Sequence, residues 1–206
     1  VYGDGTKLPG VASAFSTLEA AVTDQLAESV TSLSGGNVVV TWAVSPNVHG
    51  SAVAYYRITF KDQGGAFSTY AATCDGTQAG IISARTCTVA MTVFSSGLYS
   101  LTIGAPIIAV VEAHNAVGYS TPSAENAVYA AVKLVPQEAP VLARGASTNE
   151  YQVQLTWAAI NPANNGGSAA TGYKILWDNG AGAGSTNVLL TTIGSPGTLS
   201  YTQTSS

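Results

Sequence analysis

Few residues in this chain could carry out catalysis, and they are scattered. The two histidines, His49 and His114, are far apart, and no serine stands in the G-x-S-x-G turn that exposes a catalytic nucleophile. Glu112 and His114 are two residues apart on a predicted strand and therefore face the same way. Such a pair is typical of an exposed polar face rather than of an acid–base pair. We therefore predict that the chain is not an enzyme.

The sequence also lacks residues that are suited to metal or cofactor chemistry. The 11 carboxylates are dispersed, and Asp178-Asn179-Gly180 lacks the ligand spacing of a calcium loop, so it is interpreted as a turn. Two cysteines and two distant histidines do not make a four-ligand zinc site. The sequence predicts neither a metal nor a cofactor.

The two cysteines, Cys74 and Cys87, would close a short loop that is rich in turn residues. They could form a disulfide or remain two free buried thiols. The composition, rich in glycine and threonine, favours a secreted protein and hence the disulfide. We therefore expect an extracellular location, either secreted or on a cell-surface appendage.

Charge is unusually sparse. Charged residues make up 9% of the chain and its net charge is −4, against about 25% charged residues in ordinary domains. The few basic residues are scattered, so nucleic acid is not an expected partner. No apolar run is long enough to span a membrane. Such a surface is either buried in an assembly or covered by glycans, for which O-linked sites on serine and threonine are candidates.

Strand signals dominate the sequence and occur twice. In residues 38–44, the four residues before Trp42 are all β-branched. In residues 153–157, apolar and polar residues alternate, which places Val153, Leu155 and Trp157 on one side of the strand. After each tryptophan come a loop with proline, asparagine and glycine and then a second strand, 56–60 or 173–177. This internal repeat indicates an all-β sandwich. A four-residue apolar period in 18–33 would also fit a helix, but the repeat favours strands there.

The repeat resembles the fibronectin type III fold. The resemblance rests on the two tryptophans, on Tyr56 and Tyr173 in the following strands, and on the run V-E-A-H-N-A-V-G-Y-S at 111–120, which is similar to the end of the family's strand F. One departure is Ile107, which stands where the family has a tyrosine. The resemblance implies tandem immunoglobulin-like sandwiches. The chain also resembles the tandem arrays of such modules in large extracellular proteins of microbial eukaryotes.

The repeat divides the chain into three parts. Residues 27–135 are predicted to form a first module with the disulfide, and residues 136–206 a second module that lacks strands F and G. Residues 1–26 resemble the last strand of a module followed by a linker, because Ser13 to Val22 matches Ser123 to Val132 at five of ten positions. We expect this strand to complete a neighbouring module through its apolar residues Val11, Ala14, Phe15, Leu18 and Val22.

The strand with Tyr173, Ile175 and Trp177 is the predicted exposed edge that receives it. The sequence therefore predicts a non-enzymatic extracellular structural protein, whose copies associate head to tail into a filament or surface appendage. Strand complementation and a continuous array are both compatible with this prediction. The alternative is an accessory module that binds carbohydrate or protein and belongs to a secreted enzyme or adhesin.

Overall fold

The computed structural model describes residues 21–178 and 188–204, and their regular elements are almost all strands. In chain order the elements are β1 (Val30–Ser34), β2 (Asn37–Thr41), β3 (Tyr55–Lys61), β4 (Phe67–Thr69), α1 (Ala79–Ala84), β5 (Thr86–Ala90), α2 (Met91–Phe94), β6 (Ala109–His114), β7 (Leu142–Arg144), β8 (Gln152–Trp157), a 3-10 turn (Pro162–Asn164), β9 (Tyr173–Trp177), β10 (Val188–Ile193) and β11 (Ser200–Thr204).

Two three-stranded sheets pack face to face in the first half of the chain. Their strand orders are β1-β2-β5 and β4-β3-β6, and all pairs are antiparallel. In β3 the residues Tyr56, Ile58 and Phe60 are buried while Arg57 between them is exposed, which is the alternation that directs one face of a sheet inward. The predicted all-β sandwich is thus confirmed.

The first core is rich in aromatic residues at the end that carries α2. Phe60, Phe94 and Tyr99 have their ring centroids 5.1 to 6.0 Å apart. The Tyr99 hydroxyl donates a hydrogen bond to the Ser68 carbonyl at 3.1 Å, and burial raises the pKa of this phenol. The short helices α1 and α2 were not predicted from the sequence.

The segment after β6 differs from the prediction. The match between the two segments predicts a last strand at residues 123–132, but the structure has no regular strand there. Instead the backbone N–H groups of β6 donate to side chains: Ala113 to Ser120, Val111 to Ser123 and Ala109 to Asn126. Pro122 lies between Ser120 and Ser123 and has no N–H to offer a sheet. Side chains therefore supply acceptors that a regular strand would provide as carbonyls.

A second, smaller group of strands follows. Its sheets have the orders β11-β8-β7 and β10-β9, again antiparallel. Trp157 packs edge-on against Tyr173 with ring centroids 5.5 Å apart, just as Trp42 packs against Tyr56 at 5.4 Å in the first sandwich. The two copies of the sequence repeat therefore form the same tryptophan–tyrosine contact in the structure.

Each sandwich is approached by the chain in the same way. The Asp24 N–H donates to the Asn47 carbonyl at 3.0 Å, and the Gln137 N–H donates to the Asn164 carbonyl at 2.9 Å. Both carbonyls lie in the loop after the tryptophan strand. Within residues 21–178 and 188–204, the buried apolar residues form two separate clusters, and the exact boundaries at residues 26 and 135 stay predictions.

The alternative of a helix over 18–33 is wrong for the described part of that range. Residues 21–29 have no regular structure and β1 begins at Val30. Their approach to the first sandwich is fixed by buried Thr23, Leu26 and Ser29, whose hydroxyl donates to the Ala109 carbonyl at 2.9 Å. In the described ranges, no helix has the length and apolar character needed to cross a membrane.

Candidate functional site

The two histidines lie in separate surroundings. His49 Nε2 is 2.6 Å from the Asp24 carboxylate, and both side chains are partly open to solvent. His114 is stacked on Tyr55 with ring centroids 4.3 Å apart and meets Tyr119 edge-on at 4.5 Å. Among residues 21–178 and 188–204, no group of three potential metal ligands occurs. Neither histidine is thus part of a described catalytic arrangement, and absence of enzymatic activity stays a prediction.

An ion pair spans the outer face of β3 and β6. Arg57 Nε donates to Glu112 Oε2 at 2.6 Å, and the Arg57 guanidinium lies 4.1 Å from the centre of the Tyr119 ring. The hydrogen bond to Glu112 raises the pKa of Arg57, and the hydrogen bond to Tyr119 raises the pKa of Tyr55. Sequence reasoning missed this pair, and its expectation that Glu112 lies on an exposed polar face is wrong, because the ion pair with Arg57 allows the Glu112 side chain to be buried.

A broad cleft lies beside the Arg57–Glu112 pair. Its volume is about 840 Å³, and its walls include Phe67, Leu98 and the hydroxyls of Thr59 and Thr69. The cleft combines apolar and polar groups on one face of a sheet, and its described lining holds no acid–base pair.

The predicted disulfide is present. Cys74 and Cys87 are bonded, and both residues are buried. Cys87 lies in β5, so the bond holds residues 70–78 against the first sandwich. There the Gly76 carbonyl accepts a hydrogen bond from the Tyr56 N–H at 3.1 Å. The disulfide loop therefore covers the part of the β3 edge that the short strand β4 leaves unpaired.

The predicted assembly strand is described only at its end. Val11, Ala14, Phe15 and Leu18 lie outside the described residues. The Ala21 carbonyl accepts a hydrogen bond from Asn115 Nδ2 at 2.6 Å, and Val22, which is 38% exposed, lies near Gly118. These residues contact the first sandwich at the turn that follows β6.

The predicted receiving edge is β9, which pairs with β10 along one side. Its other side has no strand partner within the described residues. In the first sandwich, the equivalent strand β3 is paired with β4 on one side and with β6 on the other. The second group of strands thus lacks, in its described part, the counterpart of β6.

The side chains of β9 are not all bare, in contrast to the expectation of an uncovered apolar face. Tyr173 and Ile175 are 9% and 5% exposed, whereas Trp177 is 46% exposed. The facing strand β8 shows the same gradient, from Trp157 at 7% to Val153 at 50%. The core of the second group is therefore closed near the first sandwich and open at its far end.

The strand β6 shows what closes a core of this kind. Ala109, Val111 and Ala113 of β6 are fully buried, and Ala130 and Val132 in the following segment are nearly so. A cleft of about 190 Å³ opens along β9 where these residues would lie, and it is lined mainly by Pro140, Leu142, Trp157 and Ile175. Apolar surface of this kind is stabilised when a strand covers it.

No family model and no curated protein matches the chain. Among solved structures, the chain is similar to the FN1–FN3 domains of chicken CNTN1, with 13% identity over 90% of this chain and 56% of that one and a TM-score of 0.39. It is also similar to the twitchin kinase region of C. elegans, with 18% identity, 54% of this chain, 17% of that one and a TM-score of 0.40.

A third similar structure is titin kinase with its flanking domains, with 14% identity over 67% of this chain and 27% of that one and a TM-score of 0.40. The chain spans less than two thirds of the length of each of these structures. The antiparallel sheets β1-β2-β5 and β4-β3-β6, with their Trp42–Tyr56 pair, define the architecture. The chain has an all-β, fibronectin type III-like (immunoglobulin-like) sandwich fold.

Proposed function

We propose that this chain is a non-enzymatic structural protein whose copies associate head to tail, outside the cell, by completing the second sandwich with strands from a neighbour. The observation that carries the proposal is the one-sided pairing of β9 above a partly open core. A free strand edge next to apolar side chains recruits another strand, because both the backbone groups and the apolar surface gain partners.

The N-terminal strand is the proposed donor. Residues 13–22 match residues 123–132, which lie along β6 and contribute buried Ala130 and Val132 to the first core. By this alignment Ala20 and Val22 are the inward residues of the donated strand. The donor thus takes the place of the last strand of the second sandwich, beyond the position of a β6 counterpart.

We propose that the donor strand comes from another copy. Ala21 and Val22 contact Asn115 and Gly118, just after the end of β6. The second group of strands adjoins the opposite end of β6, where the Leu134 N–H donates to the Gly166 carbonyl and the Gly104 N–H donates to the Val132 carbonyl. The position of Ala21 and Val22, at the end of β6 away from the second group of strands, supports a donor strand from another copy. A contact between copies at two different surfaces builds an open filament unless the rotation closes a ring.

The experiment compares the full chain with two charged variants of the donor strand. Ala20→Asp places a carboxylate at an inward position, and Thr17→Asp is the matched control, because its counterpart Ala127 is exposed. We expect light scattering and negative-stain electron microscopy to show head-to-tail assemblies for the unaltered chain and for Thr17→Asp, but not for Ala20→Asp. A monomeric unaltered chain, or equal assembly of all three proteins, would contradict the proposal.

A second candidate function rests on the cleft beside Arg57 and Glu112. Its mixture of hydroxyls with the apolar side chains Phe67 and Leu98 favours a module that binds carbohydrate or protein. Retention of the full chain on immobilised polysaccharides, abolished by Phe67→Ala, would support this candidate. Retention that is absent, or unaffected by Phe67→Ala, would count against it.

A further inference from the structure

The uncovered edge of β9 has a charged residue at its centre. Aligned on the two tyrosines of the aromatic pairs, β9 matches β3: Tyr173 corresponds to Tyr56 and Lys174 to Arg57. In both strands the tyrosine is buried and the basic residue after it is exposed on the outer face. Lys174 therefore occupies in the second sandwich the position that Arg57 occupies in the first.

The partner of β3 shows what such an edge accepts. In the antiparallel register of β3 and β6, Ala113 lies opposite Tyr56, Glu112 opposite Arg57 and Val111 opposite Ile58. The Glu112 side chain is only 8% exposed, and Arg57 holds both of its carboxylate oxygens. A carboxylate can be buried at this position because a cation on the neighbouring strand is already in place.

Lys174 has no such counterpart in the described part of the chain. The ion pairs there involve His49, Arg57 and Lys61, and none of them includes Lys174. Lys174 lines the cleft that also contains Trp157 and Ile175, on the strand whose second side has no described partner. An approaching strand must therefore place one of its outward residues directly beside this charge.

We propose that the β9 edge selects an antiparallel strand that carries an aspartate or glutamate opposite Lys174, a small apolar residue opposite Tyr173 and a branched apolar residue opposite Ile175. This proposal rests on the proposed function, since it assumes that the second sandwich takes up strands from outside. It adds the chemistry of the strand that lies directly against β9, between that edge and the donated N-terminal strand.

Each part of this pattern has a physical reason. Tyr173 already packs against Trp157, so the space opposite it suits a side chain as small as Ala113. A carboxylate beside Lys174 forms a cross-strand ion pair, whereas a lysine or arginine there would be repelled. Because lysine is a point charge without the fixed fork of arginine, aspartate and glutamate serve equally well.

The test uses the full chain and two labelled peptides. The first peptide has the sequence of residues 105–115, A-P-I-I-A-V-V-E-A-H-N, which includes β6. The second carries the substitution Glu112→Lys. Each peptide is titrated by fluorescence anisotropy into the unaltered chain and into the variant Lys174→Glu. Lys174 is exposed, so this variant retains the fold, and circular dichroism checks that it does.

We expect the unaltered chain to bind the glutamate peptide about 5- to 30-fold more tightly than the lysine peptide. The Lys174→Glu variant should reverse this preference. If the two peptides bind equally well, or if the preference is the same for both chains, the charge rule is overturned while strand uptake stands. If neither peptide binds either chain, strand uptake at β9 fails, and the proposed function fails with it.

Discussion

At the scale of single residues, the buried side chain of Asn126 makes four described hydrogen bonds in the first core. Its Oδ1 accepts from the Ala109 N–H at 2.8 Å, and its Nδ2 donates to Thr31 Oγ1 and to the Val128 carbonyl. One buried side chain thus connects β1, β6 and the segment after β6. This arrangement explains how an irregular segment can close a sandwich without forming a regular strand.

The substitution Asn126→Ala should be strongly destabilising. It leaves the buried N–H of Ala109 without an acceptor, so we expect the free energy of unfolding to fall by about 1–3 kcal/mol. Urea unfolding followed by circular dichroism measures this change. The neighbouring Glu125→Ala, at an exposed residue, is the control, and a similar loss in both variants would contradict the role assigned to Asn126.

Asp75 predicts a change of stability with pH. The Thr77 N–H and hydroxyl donate to its Oδ1 at 3.0 and 2.8 Å, and these hydrogen bonds hold the pKa of the carboxyl below its usual value of 3.8. The stabilising contribution is therefore present above this unfolded-state pKa and is lost as the pH falls through the lower folded-state pKa.

The variant Asp75→Asn should consequently show a smaller loss of stability below about pH 4 than the unaltered chain. Unfolding by urea at a series of acidic pH values checks this expectation. Asp62→Asn is a control for a general effect of charge removal. Parallel acid profiles of Asp75→Asn and the unaltered chain would show that the Thr77 contacts contribute nothing.

At the scale of elements, the disulfide loop gives the first sandwich a covered edge. Residues 70–78 lie beside the part of β3 that β4 does not reach, and the Cys74–Cys87 bond joins them to β5. Removal of the bond by Cys74→Ser with Cys87→Ser should lower the free energy of unfolding by about 3 kcal/mol, because it frees a loop with a sequence separation of 13 residues.

Chemical unfolding of the double variant, compared with the unaltered chain before and after reduction, measures this loss. The reduced unaltered chain should unfold like the double variant. If it remains as stable as the oxidised chain, the disulfide is not a determinant of stability and the hydrogen bond between Tyr56 and Gly76 suffices to hold the loop.

Elements with a clear alternation of apolar and polar residues could be predicted from the sequence. The strands β2, just before Trp42, and β8, which ends at Trp157, lie where the repeat placed them. The helix α1 could not be predicted in this way, because its six residues begin without a side-chain cap and bury no residue. Short helices without an amphipathic face leave no periodic signal.

The candidate site could be predicted in part. The receiving edge at Tyr173, Ile175 and Trp177 was predicted by counting strands in each repeat, and its role in assembly stays a prediction. The pairing of Arg57 with Glu112 did not, because a cross-strand register depends on how two distant strands align, and neither residue alone indicates its partner. The correspondence of Lys174 with Arg57 became meaningful only once that register was known.

At the scale of the whole molecule, the contact between the linking segment and the second group of strands depends on Gly166. This residue has a φ of +72°, and a side chain there would overlap the Leu134 carbonyl oxygen. The Gly166 carbonyl itself accepts from the Leu134 N–H at 2.7 Å. Both the left-handed backbone and the close approach require glycine at this position.

Gly166→Ala should loosen this contact without unfolding either group of strands. We expect faster hydrogen exchange of the Leu134 amide, together with unchanged exchange in β3 and β6. Gly197→Ala is the control, because nothing lies close to the side chain that it adds. Unchanged protection of Leu134 in Gly166→Ala would show that the linker does not depend on this approach.

The uneven burial of the three tryptophans has a spectroscopic consequence. Trp42 and Trp157 are buried and packed edge-on against tyrosines, whereas Trp177 is half exposed at the open end of β9. Indole emission moves to shorter wavelength when the ring leaves water, and in this chain only Trp177 has much water to lose. Any strand that covers the end of β9 should therefore shift the intrinsic emission to shorter wavelength. The substitution Trp177→Phe should abolish this shift. The fluorescence of Trp177 thus reports, without an added label, whether a strand covers the end of β9.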